Sequence, residues 1–289
     1  SLIWQRTITV GTADSRLNAM TVDVEDYFQV SAFESVFTPA DWPEIPLRVE
    51  DNTNRLLDIF SEHNVKSTFF TLGWVGKRCP NLIKRIVDEG HELASHGLNH
   101  RRATTMDRQA FIDDVQTSKR ILEDAGGVAI KGYRAPSFSV NDSNQWIYEV
   151  LVELGFTYSS STYPVVHDLY GVPDWPRFKH ERPEGITEIP VPTIIKKGKN
   201  VGIGGGGYFR LYPYWLSRKR IERFMQTESA PYSFYFHPWE IDPDQPRINE
   251  APLKSKVRHY INLSKMEGKL KQLLADYRWG TMQDAYELK

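Results

Sequence analysis

Short apolar runs alternate with amphipathic stretches of helical period along almost the whole chain. Residues 2–10 alternate apolar and polar positions, the pattern of an edge strand. Residues 19–26 begin as a buried strand and turn abruptly acidic at Asp23, Glu25 and Asp26. Residues 47–62 carry Val49, Leu56, Ile59 and Phe60 at helical spacing. Residues 66–72 are β-branched and aromatic, hence a second strand, which Gly73 ends. Residues 80–89 predict a helix that opens on Pro80, gathers Leu82, Ile83 and Ile86 on one face and stops at Gly90. Residues 91–95 form a third short strand.

The alternation continues. Residues 107–125 predict a long amphipathic helix closed by Gly126-Gly127, and 128–133 a strand ending at Arg134. A helix over 143–154, capped by Gly155, precedes a strand over 156–160. The aromatic, proline-punctuated stretch 161–184 has the length of a functional loop. A strand over 187–191, helices over 213–226 and 263–277 and a strand over 232–237 complete the pattern. There is no internal repeat and no low-complexity linker, so residues 1–289 are expected to form one domain. Strand–helix alternation at this length implies a parallel sheet, open or closed into a barrel.

Composition narrows the function classes. The chain of 289 residues is 40% hydrophobic and 25% charged, which argues against disorder. Lys plus Arg (36) nearly equals Asp plus Glu (37), so no overall field favours nucleic acid or an anionic membrane. The basic runs Lys196-Lys197-Gly198-Lys199 and Arg218-Lys219-Arg220 read as solvated faces. No apolar run reaches the ~20 residues of a membrane span. No secretory leader pattern opens the chain and Cys79 is alone, so a cytoplasmic location is expected. The run Gly204 to Gly207 lacks the Lys and Ser/Thr of a phosphate loop and is expected to be a flexible turn near the site. Among the abundant aromatics, Trp74, Trp175, Tyr208 and Trp239 are candidates for stacking on a sugar face or for core packing.

The candidate chemistry centres on Ser95-His96-Gly97-Leu98-Asn99-His100, where two imidazoles four residues apart can face one point. In a strand, Asp23 and Glu25 share a face while Val24 points away. One carboxylate could complete a His-His-carboxylate metal site with positions left open, and the other could accept a proton from water. Asp26 competes with Glu25 for the metal, or caps a helix. Arg134, in Gly132-Tyr133-Arg134-Ala135-Pro136, could hold the base carboxylate or form a structural ion pair. His237, in Tyr235-Phe236-His237-Pro238-Trp239-Glu240, could protonate a leaving amine or be a satisfied core histidine. His167-Asp168 is a weaker candidate pair. The acidic cluster, the histidine pair, Arg134 and His237 all fall at C-terminal ends of predicted strands, which converge at one mouth of a βα barrel.

Taken in order, Thr21-Val22-Asp23 with Glu25-Asp26, the stretch from Ser95 to His100, Tyr133-Arg134-Ala135-Pro136 and Phe236-His237 resemble the polysaccharide deacetylase family, the NodB-homology domain or carbohydrate esterase family 4. The subgroup associated with exopolysaccharide gene clusters is similar, with its Asp-Val-Glu-Asp first motif, a loop like His167-Asp168-Leu169-Tyr170-Gly171 and an ending like His237-Pro238-Trp239-Glu240. The likeness covers about residues 20–277. It implies an α/β fold, a distorted, TIM-like (β/α) barrel of about seven parallel strands, and metal-dependent removal of acetyl from N-acetyl-hexosamine units of a polysaccharide or its precursor.

By the same resemblance Asp23 is the base, His96 and His100 are metal ligands, Arg134 orients the base and His237 is the acid. The metal is expected to be divalent, zinc first. The backbone near Ala135 would stabilise the oxyanion, and Ala135, Pro136, Tyr235, Trp239 and His167 would contact substrate. This chain departs from the pattern in three places. Val24 stands where the second aspartate usually is, so Glu25 is assigned to the metal on strand-face grounds. Tyr158-Ser159-Ser160-Ser161 offers only hydroxyls where the fourth motif brings an aspartate to tune the acid histidine. Tyr235 replaces a leucine near the acyl pocket. These departures keep two alternatives open: a metal-independent amidohydrolase of small ureides or formamides, and a catalytically silent glycan-binding module.

Overall fold

Strand β1 (Leu17–Val24) shows how the sheet is built. Its residues alternate between two apolar environments, as the period of two requires. Met20, Val22 and Val24 join the large core under the helices, while Ala19 packs on the opposite side with Phe70, Ala94 and Tyr158. Both faces are covered, which is why the strand reads as an almost unbroken buried run.

The computed structural model describes residues 15–167 and 170–289; the edge strand expected over 2–10 lies outside the described residues. After β1 come β2 (Thr68–Thr71), β3 (Glu92–Ser95), β4 (Gly132–Tyr133), β5 (Tyr158–Ser159), β6 (His180–Glu181), β7 (Thr187–Glu188), β8 (Thr193–Lys196), β9 (Lys199–Gly202), β10 (Ser233–Phe236) and β11 (Arg278–Gly280). The main sheet runs β10-β1-β2-β3-β4-β5-β7-β6, with β11 paired to the start of β1. Every pairing from β10 through β7 is parallel, and β6 is an antiparallel edge. The curled, mostly parallel sheet is the half-barrel form of the (β/α) architecture that the alternation predicts. Strands β8 and β9 form a separate hairpin.

Helices Val49–Glu62, Pro80–Asp88 and Arg108–Gly126 bury the faces expected of them against the sheet. The longest is bounded as its sequence implies: the Asp107 side chain accepts from the Ala110 N–H at 2.8 Å, and Gly127 closes it at φ 69°. Elsewhere the elements are shorter than the sequence suggests. The strand expected over 128–133 is reduced to Gly132–Tyr133, and the helix expected over 143–154 begins only at Ile147. Gly73 ends a strand but also opens a helix, Gly73–Arg78.

The glycines at 204–207 are a correction. They are not a flexible turn: Gly205 bridges to Tyr235 in the sheet, and Gly206 opens the helix Gly206–Leu211. No helix among the described residues is long and apolar enough to cross a membrane.

Candidate active site

Four parallel strands deliver the side chains. Asp23 lies in β1 and Glu25 just beyond it, His96 follows β3, Arg134 follows β4 and His237 follows β10. Parallel strands end on one side of the sheet, so residues more than 200 positions apart in sequence meet in one cleft of about 210 Å³. Asp23, Glu25, His96, His100, Tyr235 and His237 line it.

Glu25, His96 and His100 form the one group of metal-ligating side chains found among the described residues, their ligand atoms within 4.8 Å of one another. His100 Nε2 approaches Glu25 Oε2 at 2.7 Å and His96 Nε2 lies 3.8 Å from it. Oε2 is nevertheless buried with no hydrogen-bond partner, because the 2.7 Å approach lacks hydrogen-bond geometry. A buried carboxylate oxygen without a donor, faced by two imidazole nitrogens, is an arrangement that a cation would satisfy. His96 Nδ1 lies 2.8 Å from the Arg134 carbonyl, which fixes Nδ1–H as the donor and leaves the lone pair on Nε2. Burial pushes His96 down to about 4, so it is neutral at pH 7, as a ligand must be. Burial works to raise the Glu25 carboxyl, but His100 and His237 overcome it and hold it at about 2. Two nitrogens and one carboxylate oxygen fit a divalent ion such as zinc.

Asp26, the competitor, is committed elsewhere. Its Oδ1 accepts from the Tyr27 N–H, and its Oδ2 from the N–H groups of Arg48 and Val49, at 2.7–2.8 Å. It caps two helical starts, and burial raises it to about 6 in spite of those bonds. Of the two sequence alternatives, the geometry favours Glu25.

Arg134 is 1% exposed and satisfied on all sides. Nη1 donates to Asp23 Oδ1 at 2.8 Å and to Thr21 Oγ1 at 2.9 Å, while Nε and Nη2 reach the Ser160 carbonyl and hydroxyl at 3.1 Å. Its guanidinium lies 4.0 Å from the Phe70 ring centroid. Asp23 is thereby fixed with Oδ2 4.0 Å from His237 Nε2. His237 Nε2 also lies 3.2 Å from Glu25 Oε1. Burial alone would lower the His237 imidazole, but Glu25, then Glu240, then Asp23 raise it to about 9 while no ion is bound.

Other expected residues are placed differently. The Ala135 N–H already donates to Ser161 Oγ at 2.9 Å, so it is not a spare donor for an oxyanion. Pro136 is buried, and the next residue, Ser137, lines the cleft at φ 54°, a conformation costly for a serine. Trp239 borders the cleft, but it is 6% exposed and already stacked on two imidazoles, His237 and His259, so it is a support rather than a platform for sugar. His167 is not in the catalytic cleft: it stacks on Tyr170 at 3.8 Å and lines the adjoining groove. Its companion Asp168 lies outside the described residues.

Sequence reasoning missed Glu240 and Arg210. Glu240 Oε1 accepts from His237 Nδ1 at 2.8 Å, and Oε2 from Arg210 Nε at 2.7 Å. A signal was available: a glutamate three positions after the histidine, across a turn opened by proline, can reach back to it as in a capping box.

Known proteins agree with this frame. Residues 38–159 match the family model described as Polysaccharide deacetylase, and residues 160–287 one described as a Domain of unknown function (DUF3473). A peptidoglycan-N-acetylglucosamine deacetylase of Bacillus cereus is 32% identical over 103 residues, 34% of this chain and 38% of the relative. A chitooligosaccharide deacetylase of Bradyrhizobium is 28% identical over 152 residues, 53% of this chain and 64% of the relative. The chain thus spans less than two thirds of the length of these curated relatives.

Among solved structures, a candidate polysaccharide deacetylase from Mycobacterium smegmatis superposes with a TM-score of 0.60 at 19% identity, over 96% of this chain and 92% of that one. A CE4 family pseudoenzyme from Bacillus anthracis gives 0.50 at 16% identity, over 95% and 66%. Such likeness shows the fold and leaves activity to the side chains. The match over residues 38–159, with these relatives, supports a polysaccharide deacetylase domain of the NodB-like, carbohydrate esterase family 4 type there.

Proposed function

We propose that this chain is a metal-dependent hydrolase that removes acetyl from N-acetyl-hexosamine units of a glycan. One observation carries the reading: the orphaned Glu25 Oε2 faces His96 and His100 in the same cleft as the Arg134-held Asp23 and His237. The domain match and the relatives named as deacetylases of N-acetylated glycans supply the reaction class. A divalent ion bound by Glu25, His96 and His100, zinc by its donor set, supplies Lewis-acid polarisation of the acetyl carbonyl and a more acidic water.

The chain's own residues do the rest. Arg134 holds the Asp23 carboxylate aimed into the cleft, where Asp23 accepts the proton of the attacking water. His237 presents Nε2 to the same space and delivers its proton to the departing nitrogen as the C–N bond breaks.

The cleft also suits a chain-like substrate. It shares Ser31, His100 and Arg102 with a groove on one side, and Tyr170 and Tyr235 with a groove on the other. A polymer or oligomer longer than one sugar therefore fits better than a small ureide. The motif resemblance of Asp23-Val24-Glu25-Asp26 and His237-Pro238-Trp239-Glu240 to the exopolysaccharide-associated subgroup is what suggests an exopolysaccharide or its precursor as the natural glycan.

The test is acetate release from N-acetylated chitooligosaccharides by zinc-reloaded protein. Wild type should release acetate, and His96→Ala should reduce the rate by at least about 1000-fold while keeping the fold. Undiminished release by the variant after chelation would sink the reading in favour of a metal-independent amidohydrolase.

A further inference from the structure

Where the resemblance leads one to expect an aspartate behind the acid histidine, the residues after β5 offer only serines, and none of their hydroxyls bonds His237. Ser160 Oγ is used by Arg134, and Ser161 Oγ by the Ala135 N–H. The support comes from the other direction. We infer that Glu240, locked by Arg210, is the positioning residue of His237: it holds the ring with Nδ1–H on the carboxylate and Nε2 in the cleft.

The locking is geometric at each step. His237 begins a short turn, Pro238–Ile241, that brings Glu240 back under it. Glu240 Oε1 accepts from both the backbone N–H of His237, at 3.0 Å, and its Nδ1, at 2.8 Å. Both main chain and ring are therefore fixed by one oxygen. The other oxygen is held by Arg210 Nε, and the remaining Arg210 nitrogens donate to the carbonyls of Arg258, His259 and Ile261 at 2.7–3.1 Å.

Gly206 makes room for the pair: a Cβ there would stand 2.5 Å from both carboxylate oxygens. Trp239 stacks on the His237 ring at 5.3 Å and 17°, which limits its rotation. Arg210 and Glu240 are 2% and 1% exposed. Neutralising Arg210 occupies Oε2 alone, and Oε1 is left to His237.

A leucine at 240 keeps most of the side chain's bulk but offers no acceptor. The Nδ1–H of His237 then has no partner there, while Arg210 keeps its bonds to the carbonyls of Arg258, His259 and Ile261. The kinetic part of the test rests on the deacetylase reading, since a poor leaving amine needs protonation and an aryl oxide does not.

For Glu240→Leu, kcat on N-acetylated chitooligosaccharide should fall about 100-fold with KM within about twofold, while 4-nitrophenyl acetate hydrolysis changes less than about threefold. Equal losses on both substrates, or no loss on either, would overturn the inference. A readout independent of turnover is the hydrogen-bonded Nδ1 proton of His237 in histidine-¹⁵N-labelled protein, assigned by its loss in His237→Gln. It should be present in wild type and missing in Glu240→Leu; its absence from wild type, or persistence in the variant, would overturn the inference. A wild type that hydrolyses neither substrate would defeat the deacetylase reading, and the Nδ1 proton would then decide the positioning role by itself.

Discussion

His91 and His96 sit one residue before β3 and one residue after it, and burial pushes both rings down to about 4. Only the second faces the cleft. His91 Nδ1 accepts the Ser67 N–H at 3.1 Å and its ring packs on Phe69, so it is a neutral core histidine. Between about pH 4 and 6.5 the unfolded chain protonates His91 and the native chain does not, so this group's contribution to stability falls as pH drops. The stability gap between wild type and His91→Asn should therefore narrow from pH 7 to pH 5, by up to about 1.4 kcal/mol per unit below 6.5. Urea unfolding at the two pH values measures it; a constant gap would mean that His91 is protonated in the native state. At this scale much was legible. Spacing pointed to His96 and His100, and strand alternation put Asp23 and Glu25 on one side. Arg210 was hidden because its partner Glu240 lies 30 positions away and because it follows a segment that composition marked only as glycine-rich.

Asp26 joins two elements, the turn Tyr27–Gln29 and the helix Val49–Glu62, by accepting three backbone N–H groups. Replacing it with alanine leaves those donors buried without an acceptor. Asp26→Ala should cost about 2–4 kcal/mol in urea unfolding with an unchanged m-value, and a cost under about 0.5 kcal/mol would contradict the double-cap role. The order and type of the main elements could be read from apolar spacing, but their bounds could not. The helix expected from 143 starts at Ile147 because Asn141 and Asn144 side chains bond nearby backbone: Asn144 Oδ1 accepts the Asn141 N–H, and Asn144 Nδ2 donates to the Ser139 carbonyl. Strand β4 is two residues long because Val128, expected to begin it, is 37% exposed and lies just past the left-handed Gly127.

Across the whole molecule, the two family models abut at residues 159 and 160, but the sheet and the cleft do not divide there. β1 pairs with β2 on one side and β10 on the other, and β5 joins β4 to β7. Residues before 160 supply Asp23 and Glu25, both ahead of the first matched residue, together with His96, His100 and Arg134. Residues from 160 onward supply His237, Glu240 and Arg210, so the candidate site is complete only when both parts are folded together. The parallel architecture was legible from strand–helix alternation; the closure of β1 onto a strand more than 200 residues later follows from packing that periodicity does not encode. The measurement that bears most directly on the account is metal content by elemental analysis after zinc reloading and desalting, for wild type, Glu25→Ala, His96→Ala and His237→Gln. Wild type and His237→Gln should hold about one ion per chain, and the other two variants should hold none. A metal-free wild type, or an ion retained in Glu25→Ala, would contradict it.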